Sequence, residues 1–544
     1  MRHFLPGKIF CSKFNSSNFY RSAKKPEWSL DLIHKKNIMI LRYLVIILLI
    51  FSIPLALLDY AHFPYSDGAE HGAAIRELAQ NFVNPDDPML EGNYGGSARY
   101  VPSVFIMAAF VRLSGLDVLV VIKIFLVIFL WVFIYSVVRF ANLYLDKPSG
   151  SFCLLVSLLF LWGTGWTGAN AYMFSAITYT AYFPSVVSFY LSLLALSFLL
   201  KYLQDNGKGN LAWCCILCGI AFVNHPLTGV FLFITSFFLL IEREPSFKRC
   251  FVLFFLIIAV SFSFSYLWPY YNFFESFSSI ASGVMAQTDD YQMTWEYLHS
   301  NRLLGIGPAL VSVPLISILM FKRKNLMVTG SFAVFVLVYV FGFFVKASLS
   351  ERFIFFIVFT LQLTFSLFWA SCWCDALRRK KIFFIVTICL AVVFQCYLTV
   401  NEFISPVFNF KSKHSLLPEY STPNKVFKDL KKYLSVEDVV LSDISSSWSV
   451  PVYTGAKIIA LWHTPPHVKD NFERTEDIKR FYNPTTSNTE RKGILEKYGV
   501  THVLLNHHIF GSSNKLIEPQ ITRLGYPLVV KNSDFSIFAV QHSP

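Results

Sequence analysis

Apolar runs of membrane-spanning length recur along most of this chain. They fall at about 38–58, 118–140, 151–167, 184–202, 211–224, 227–241, 250–268, 303–320, 326–345, 353–373 and 382–400. A helix needs about 20 apolar residues to cross the hydrocarbon, so the pattern predicts about eleven spans. The fifth and sixth are short and read as a tight hairpin broken at Pro226. Val101–Gly115 is only about 15 residues long, too few to cross comfortably, and carries Arg112. Counted as a span it would invert the charge pattern of everything after it, so an interfacial helix is expected there. After about Asn401 the apolar runs shrink to strand length, at Val439–Leu441, Ile458–Leu461, His502–Leu505, Leu528–Val530 and Phe535–Val540. Charged helical segments near 423–434, 472–482 and 488–498 lie between them. Strands alternating with helices predict a small α/β unit. The expected organisation is a basic tail at 1–37, an all-α polytopic membrane domain at 38–400 with external loops at 59–117 and 269–302, and a C-terminal soluble α/β domain at 401–544.

Composition agrees: 54% of residues are hydrophobic and 15% charged, against about 25% charged in an ordinary soluble domain. The net charge of +13 changes the picture through its placement. Lys and Arg gather in alternate connections: the N-terminal tail, Arg139 and Lys147, Lys201 and Lys208, Lys248 and Arg249, Lys322-Arg323-Lys324, and Arg378-Arg379-Lys380-Lys381. The positive-inside rule makes these cytoplasmic, which reads the charge as topology and gives nucleic acid no role. With an odd number of spans the C-terminal domain then lies outside the cytoplasm, in a protein of the plasma (inner) membrane. No small-residue cleavage site follows 38–58, so that run is expected to be an uncleaved anchor. Ten cysteines add little, since none lies after residue 400 to form a disulfide framework there.

The first external loop carries the candidate chemistry. It is acidic, and Pro64-Tyr65-Ser66-Asp67-Gly68-Ala69-Glu70-His71 leads into a stretch where Ile75, Leu78, Ala79 and Phe82 fall on one helical face. Asp67 followed three residues later by Glu70 imitates a capping box. A carboxylate fixed at a helix start is also well placed as a general base, and the two roles are compatible.

One span, a long external loop with an early acidic residue and flanking juxtamembrane helices resemble the architecture of the GT-C glycosyltransferases. So does the closing run Tyr453-Thr454-Gly455 and Leu495-Glu496-Lys497-Tyr498-Gly499-Val500-Thr501-His502-Val503-Leu504-Leu505 in an external C-terminal domain. The resemblance implies an enzyme that takes a sugar from a polyprenyl-phosphate or polyprenyl-diphosphate lipid and passes it to a glycan, lipid or protein acceptor. By that resemblance Asp67 matches the catalytic acidic residue of the first loop, deprotonating the acceptor hydroxyl and inverting the anomeric carbon; Glu70 is a second candidate.

A phosphate leaving group needs fixed positive charge. Arg352, in Ser350-Glu351-Arg352-Phe353 at the mouth of the tenth expected span, can grip it through a charge-assisted fork or serve as an interfacial anchor. Arg112 and Lys346 are further candidates. His225, in Asn224-His225-Pro226, is either a phosphate or sugar ligand or a polar turn. The loop 269–302 sets Asp289, Asp290 and Trp295-Glu296 near Trp268 and Tyr270-Tyr271, a combination that suits sugar binding but also an aromatic belt. His463 and His467 lack partners at ligand spacing, so no metal is assigned, although a divalent ion could assist transfer. The competing function is a multi-pass transporter or flippase of a lipid-linked glycan. That reading expects charges deep in the spans and duplicated halves. Lys123 is the main deep charge, and the acidic residues concentrate at the outer boundary.

Overall fold

The structure is a computed structural model that describes residues 67–92, 97–163, 172–270, 305–399, 425–461 and 468–541, apart from positions 148, 348, 375–377, 469 and 511–513. The basic tail, the expected span at 38–58, Asp289, Asp290, His463 and His467 lie outside the described residues.

Helix α1 (Gly68–Gln80) packs against α2 (Pro102–Ser114) at one end of a helical bundle. Proline at its first position and an αL glycine cap, Gly115 at φ 68°, delimit α2 at 13 residues. The bundle proper starts with α3 (Val118–Tyr144), 27 residues and so roughly 40 Å long. It continues through α4 (Gly150–Phe160), the short α5 (Phe174–Thr180), α6 (Pro184–Asp205), α7 (Lys208–Asn224), α8 (Pro226–Arg243) and α9 (Phe247–Leu267). After residue 304 come α10 (Val313–Phe321), α11 (Leu326–Val345), α12 (Ile354–Cys374) and α13 (Arg378–Thr399). Among the described residues seven helices are long and apolar enough to cross a membrane: α3, α6, α8, α9, α11, α12 and α13. Three other expected spans correspond to shorter apolar helices, α4, α7 and the segment 307–321.

Two of those short helices differ from the expected runs for one reason. The expected span 151–167 leaves the helix at Leu161, and 303–320 becomes helical only at Gly307, first as a 3-10 turn. The two breaks meet. Gly163 N–H donates to the Gly305 carbonyl at 2.8 Å, and a Cβ on Gly307 would stand 2.4 Å from the Gly163 Cα. Backbone freed from a helix inside a bundle must be satisfied by the protein itself. Gln362 on α12 and Gln395 on α13 do so, donating to the Leu161 and Trp162 carbonyls at 3.0 and 3.1 Å. Elsewhere small residues bring helices close: Ser188 on α6 donates to the Ala221 carbonyl of α7 at 2.7 Å.

The C-terminal unit is a five-stranded mixed sheet of order β2-β1-β3-β5-β4. Its strands are β1 (Val439–Leu441), β2 (Lys457–Ile458), β3 (His502–Asn506), β4 (Leu528–Lys531) and β5 (Phe535–Ala539). β1 pairs parallel with β2 and β3, and the β3-β5-β4 part is antiparallel. Helices α14 (Val450–Thr454), α15 (Asn471–Tyr482) and α16 (Asn488–Lys497) connect the strands. Val503 and Leu505 enter the core on one face of the sheet and Leu504 the core on the other, which is why this strand reads as a continuous apolar run.

This unit interlocks with the first loop. Ala69 and Ala73 of α1, with Met89 and Leu90, share one buried core with Val452, Tyr453 and Ile458. Leu90 bridges Ile458 in parallel, with Ile458 N–H donating to the Met89 carbonyl at 2.7 Å. The loop therefore covers the outer edge of β2, which would otherwise expose unpaired backbone groups.

Candidate active site

Asp67 stands at the start of α1 with a helical backbone, and its carbonyl accepts the His71 N–H at 3.0 Å. Its side chain makes no capping hydrogen bond. The expected capping role is therefore not taken up by the carboxylate. Glu70, one turn on, is buried and forms an ion pair with Arg99. Arg99 lies in the turn just before α2, and that turn is fastened from two sides: Trp268 Nε1 donates to the Tyr100 carbonyl at 2.7 Å, and the Tyr100 hydroxyl donates to the Asp86 carbonyl. Trp268 and Tyr270, the latter donating to the Phe82 carbonyl at 2.9 Å, thus hold the loop in place.

His225 occupies the one-residue joint between α7 and α8, as the helix-breaking Pro226 demands. Its neighbour Asn224 staples three elements, accepting the Ser103 N–H at 2.9 Å and donating to the Pro184 carbonyl at 2.6 Å. The Thr228 N–H donates to His225 Nδ1 at 3.3 Å, and the Thr228 hydroxyl lies 2.8 Å from the same nitrogen. With Nδ1 accepting, the proton of the neutral ring sits on Nε2, which is left as a donor. Arg352 stands on a 3-10 turn (Ser350–Phe353) that leads into α12, half-exposed, with Nε 3.5 Å from the buried Glu351 carboxylate.

Electrostatics ties these groups together. His71 is pushed down to about 3, chiefly by burial, then by the Arg99 cation, against Asp67, with His225 adding a smaller lowering. His225 is likewise pushed down to about 3 by burial, then by Arg352 and Arg99. Tyr182, in the turn before α6, is pushed up by burial and then by Asp67 and Tyr453. Two carboxylates, two guanidinium groups and two neutral imidazoles thus meet where α1, the 97–101 turn, the α7–α8 joint and the entrance of α12 converge. This arrangement can take up a proton at Asp67 and hold an anion through Arg99, Arg352 and the His225 Nε2–H.

Of the residues singled out from the sequence, Asp67, Glu70, His225 and Arg352 belong to this group, Asp67 and His225 through their action on His71, Glu70 through its pair with Arg99, and Arg352 through its action on His225. Arg112 does not. It reaches the Ala79 and Gln80 carbonyls at 3.4 Å and covers the Phe82 ring, so it caps the far end of α1, roughly 18 Å along the helix from Asp67. Asp289 and Asp290 lie outside the described residues. Arg99, His71 and Tyr182 carry no role in the sequence reading. Only His71 leaves a signal there, its i, i+4 spacing from Asp67 along a helix. Among the described residues no three His, Cys, Asp or Glu side chains come together as metal ligands.

The fold is that of the GT-C glycosyltransferases. The chain is similar to the oligosaccharyltransferase of Archaeoglobus fulgidus, with a TM-score of 0.54 at 10% identity over 91% of this chain and 71% of that one. It is similar to ArnT from Cupriavidus metallidurans, in a structure bound to undecaprenyl phosphate, with a TM-score of 0.54 at 11% identity over 91% of this chain and 97% of that one. It also resembles the mycobacterial arabinofuranosyltransferase AftD, with a TM-score of 0.52 at 11% identity over 92% of this chain but 40% of that one. No protein-family model matches the sequence, and no curated protein matches it.

Proposed function

We propose that this chain is a membrane glycosyltransferase that moves a sugar from a polyprenyl-phosphate or polyprenyl-diphosphate donor to an acceptor hydroxyl at the extracytoplasmic face. The observation that carries this reading is the meeting of Asp67 with Arg99, His225 and Arg352 at one end of the bundle, in the fold of enzymes one of which is seen with undecaprenyl phosphate. The acceptor oxygen attacks the anomeric carbon as its proton passes to Asp67. The bond from that carbon to the phosphate oxygen breaks, and the electron pair leaves with the lipid phosphate. Arg352, Arg99 and the His225 Nε2–H stabilise the charge that develops there. Attack opposite the leaving group inverts the carbon. Glu70 serves this step indirectly: paired with Arg99 and buried, it fixes the guanidinium, and Asp67, at the entrance of α1, serves as the base.

The test is transfer by the purified full chain supplied with lipid-linked donors. Asp67→Asn keeps an oxygen that can cap a helix but not a base, so transfer should fall on the order of 10²–10⁴-fold. Glu70→Gln should act mainly on donor KM by loosening Arg99. Normal transfer in Asp67→Asn with loss of kcat in Glu70→Gln would move the base to Glu70. Normal transfer in both would remove the mechanism.

A further inference from the structure

Two buried polar groups beside Asp67 take no part in the scheme above. His71 is 4% exposed, and its Nδ1 meets no hydrogen-bond partner among the described residues. Tyr182 is fully buried, and its hydroxyl likewise meets none. Their rings meet edge to face at 6.5 Å, and Phe183 packs against both, at 5.2 Å from His71 and 4.9 Å from Tyr182. Buried polar groups are nearly always paired, so two adjacent unpaired ones call for an explanation. A serine in a helix can turn its hydroxyl to the carbonyl four residues back. A tyrosine hydroxyl and an imidazole nitrogen held in an aromatic wall have no such local refuge.

Neither group brings the positive charge that a phosphate calls for: a phenol and a neutral imidazole carry none, and the cations stand at Arg99 and Arg352. What an uncharged donor and acceptor pair recognises, in a wall of aromatic rings, is a neutral hydroxylated ring. We propose that His71 and Tyr182 form the subsite that reads hydroxyl groups of the transferred sugar, between the base at Asp67 and the cations that hold the phosphate. This rests on the reading of the site as one for lipid-linked sugar transfer. Because the pair is buried, a donor lacking the matching hydroxyl leaves both groups unpaired, which is how a site of this kind selects one sugar over another.

Tyr182→Phe removes one oxygen and keeps the ring, so it is the variant of choice, with His71→Leu as the second. The full chain in nanodiscs is titrated with bare decaprenyl phosphate and with decaprenyl phosphate carrying glucose, mannose, galactose or arabinose. The wild type should bind at least one sugar-bearing lipid more tightly than the bare one. Tyr182→Phe should lose roughly tenfold of that increment, the worth of one hydrogen bond to a buried group, with bare-lipid affinity unchanged, which also reports that the variant is folded. Retention of the increment in both variants, or no sugar-bearing lipid binding the wild type more tightly than the bare one, would overturn the subsite while leaving the donor reading intact. Failure of the wild type to bind either kind of lipid would remove the donor reading and the subsite with it.

Discussion

Arg352 is the residue at which charge and geometry can be separated. Its partner Glu351 is buried, so Arg352→Ala strips a buried carboxylate of a cation and disturbs folding and binding together. Arg352→Lys keeps the charge and loses the planar fork. We expect donor kcat/KM to fall roughly tenfold in Arg352→Lys, the worth of about one charge-assisted hydrogen bond, at an unchanged melting temperature; unchanged transfer would make the residue an interfacial anchor. His71 and His225 give a pH signature. Both are held near 3 in the folded protein, whereas an unfolded histidine titrates near 6.5. Between those values the unfolded chain binds protons that the folded one refuses, so stability is fully present above about pH 6.5 and lost as pH falls below it. The melting temperature in detergent should be flat above pH 7 and drop between pH 6.5 and 4. His71→Leu should flatten that drop, and an identical slope in the variant would contradict the assignment. The carboxylates at this site were legible in the sequence because they stand beside an amphipathic run. Arg99 was not, because what singles it out is its ion pair with Glu70, a residue of α1 far back in the chain.

At the scale of elements, α1 is clamped between the bundle and the C-terminal unit. Arg76 donates to the Val452 carbonyl through two nitrogens at 3.2 and 2.9 Å, and Lys457 pairs with the buried Glu77 at 2.8 Å. Gly72 lets the two bodies approach: a Cβ there would stand 2.3 Å from Val452 Cγ2. Gly72→Ala should therefore push α14 off α1, at a cost of about 1–3 kcal/mol for an overpacked contact, and lower transfer by tilting Asp67. The double variant Gly72→Ala/Val452→Ala should recover most of the loss; recovery would not occur if Gly72 served only helix flexibility. The helices themselves were largely readable from hydrophobic runs. Their breaks were not, since the ends at Leu161 and Gly307 depend on Gln362 and Gln395, 201 and 233 positions away in sequence from the carbonyls they satisfy. The lock between α1 and the sheet was hidden for the same reason, being built from residues 376 and 380 positions apart.

At the scale of the molecule, contacts sort the connections into two ends of the bundle. Arg249 donates to the Tyr202 hydroxyl at 3.1 Å, Glu242 accepts the Met327 N–H at 2.9 Å, and the Tyr144 hydroxyl lies 3.5 Å from the same carboxylate. These basic turns gather at one end, and the candidate site lies with Asn224, Pro184 and Ser103 at the other. For these four connections the charge that recurs along the sequence is gathered at one end in space, and the proposed orientation puts that basic end in the cytoplasm. A reporter inserted at 322–324 should be active only inside, and one fused after residue 400 only outside; a cytoplasmic C-terminal reporter would put the site on the wrong face. The central claim is that Asp67 and the Arg99–His225–Arg352 group flank a lipid-linked sugar, and one structure tests it most directly: the full chain in nanodiscs with a short-chain polyprenyl phosphate bound. The phosphate oxygens should lie within about 2.7–3.2 Å of Arg352 and of Arg99 or His225 Nε2, with the Asp67 carboxylate facing the phosphate across the space for the sugar. A phosphate seated beside Arg112 at the far end of α1, or among the basic turns at the opposite end of the bundle, would contradict it.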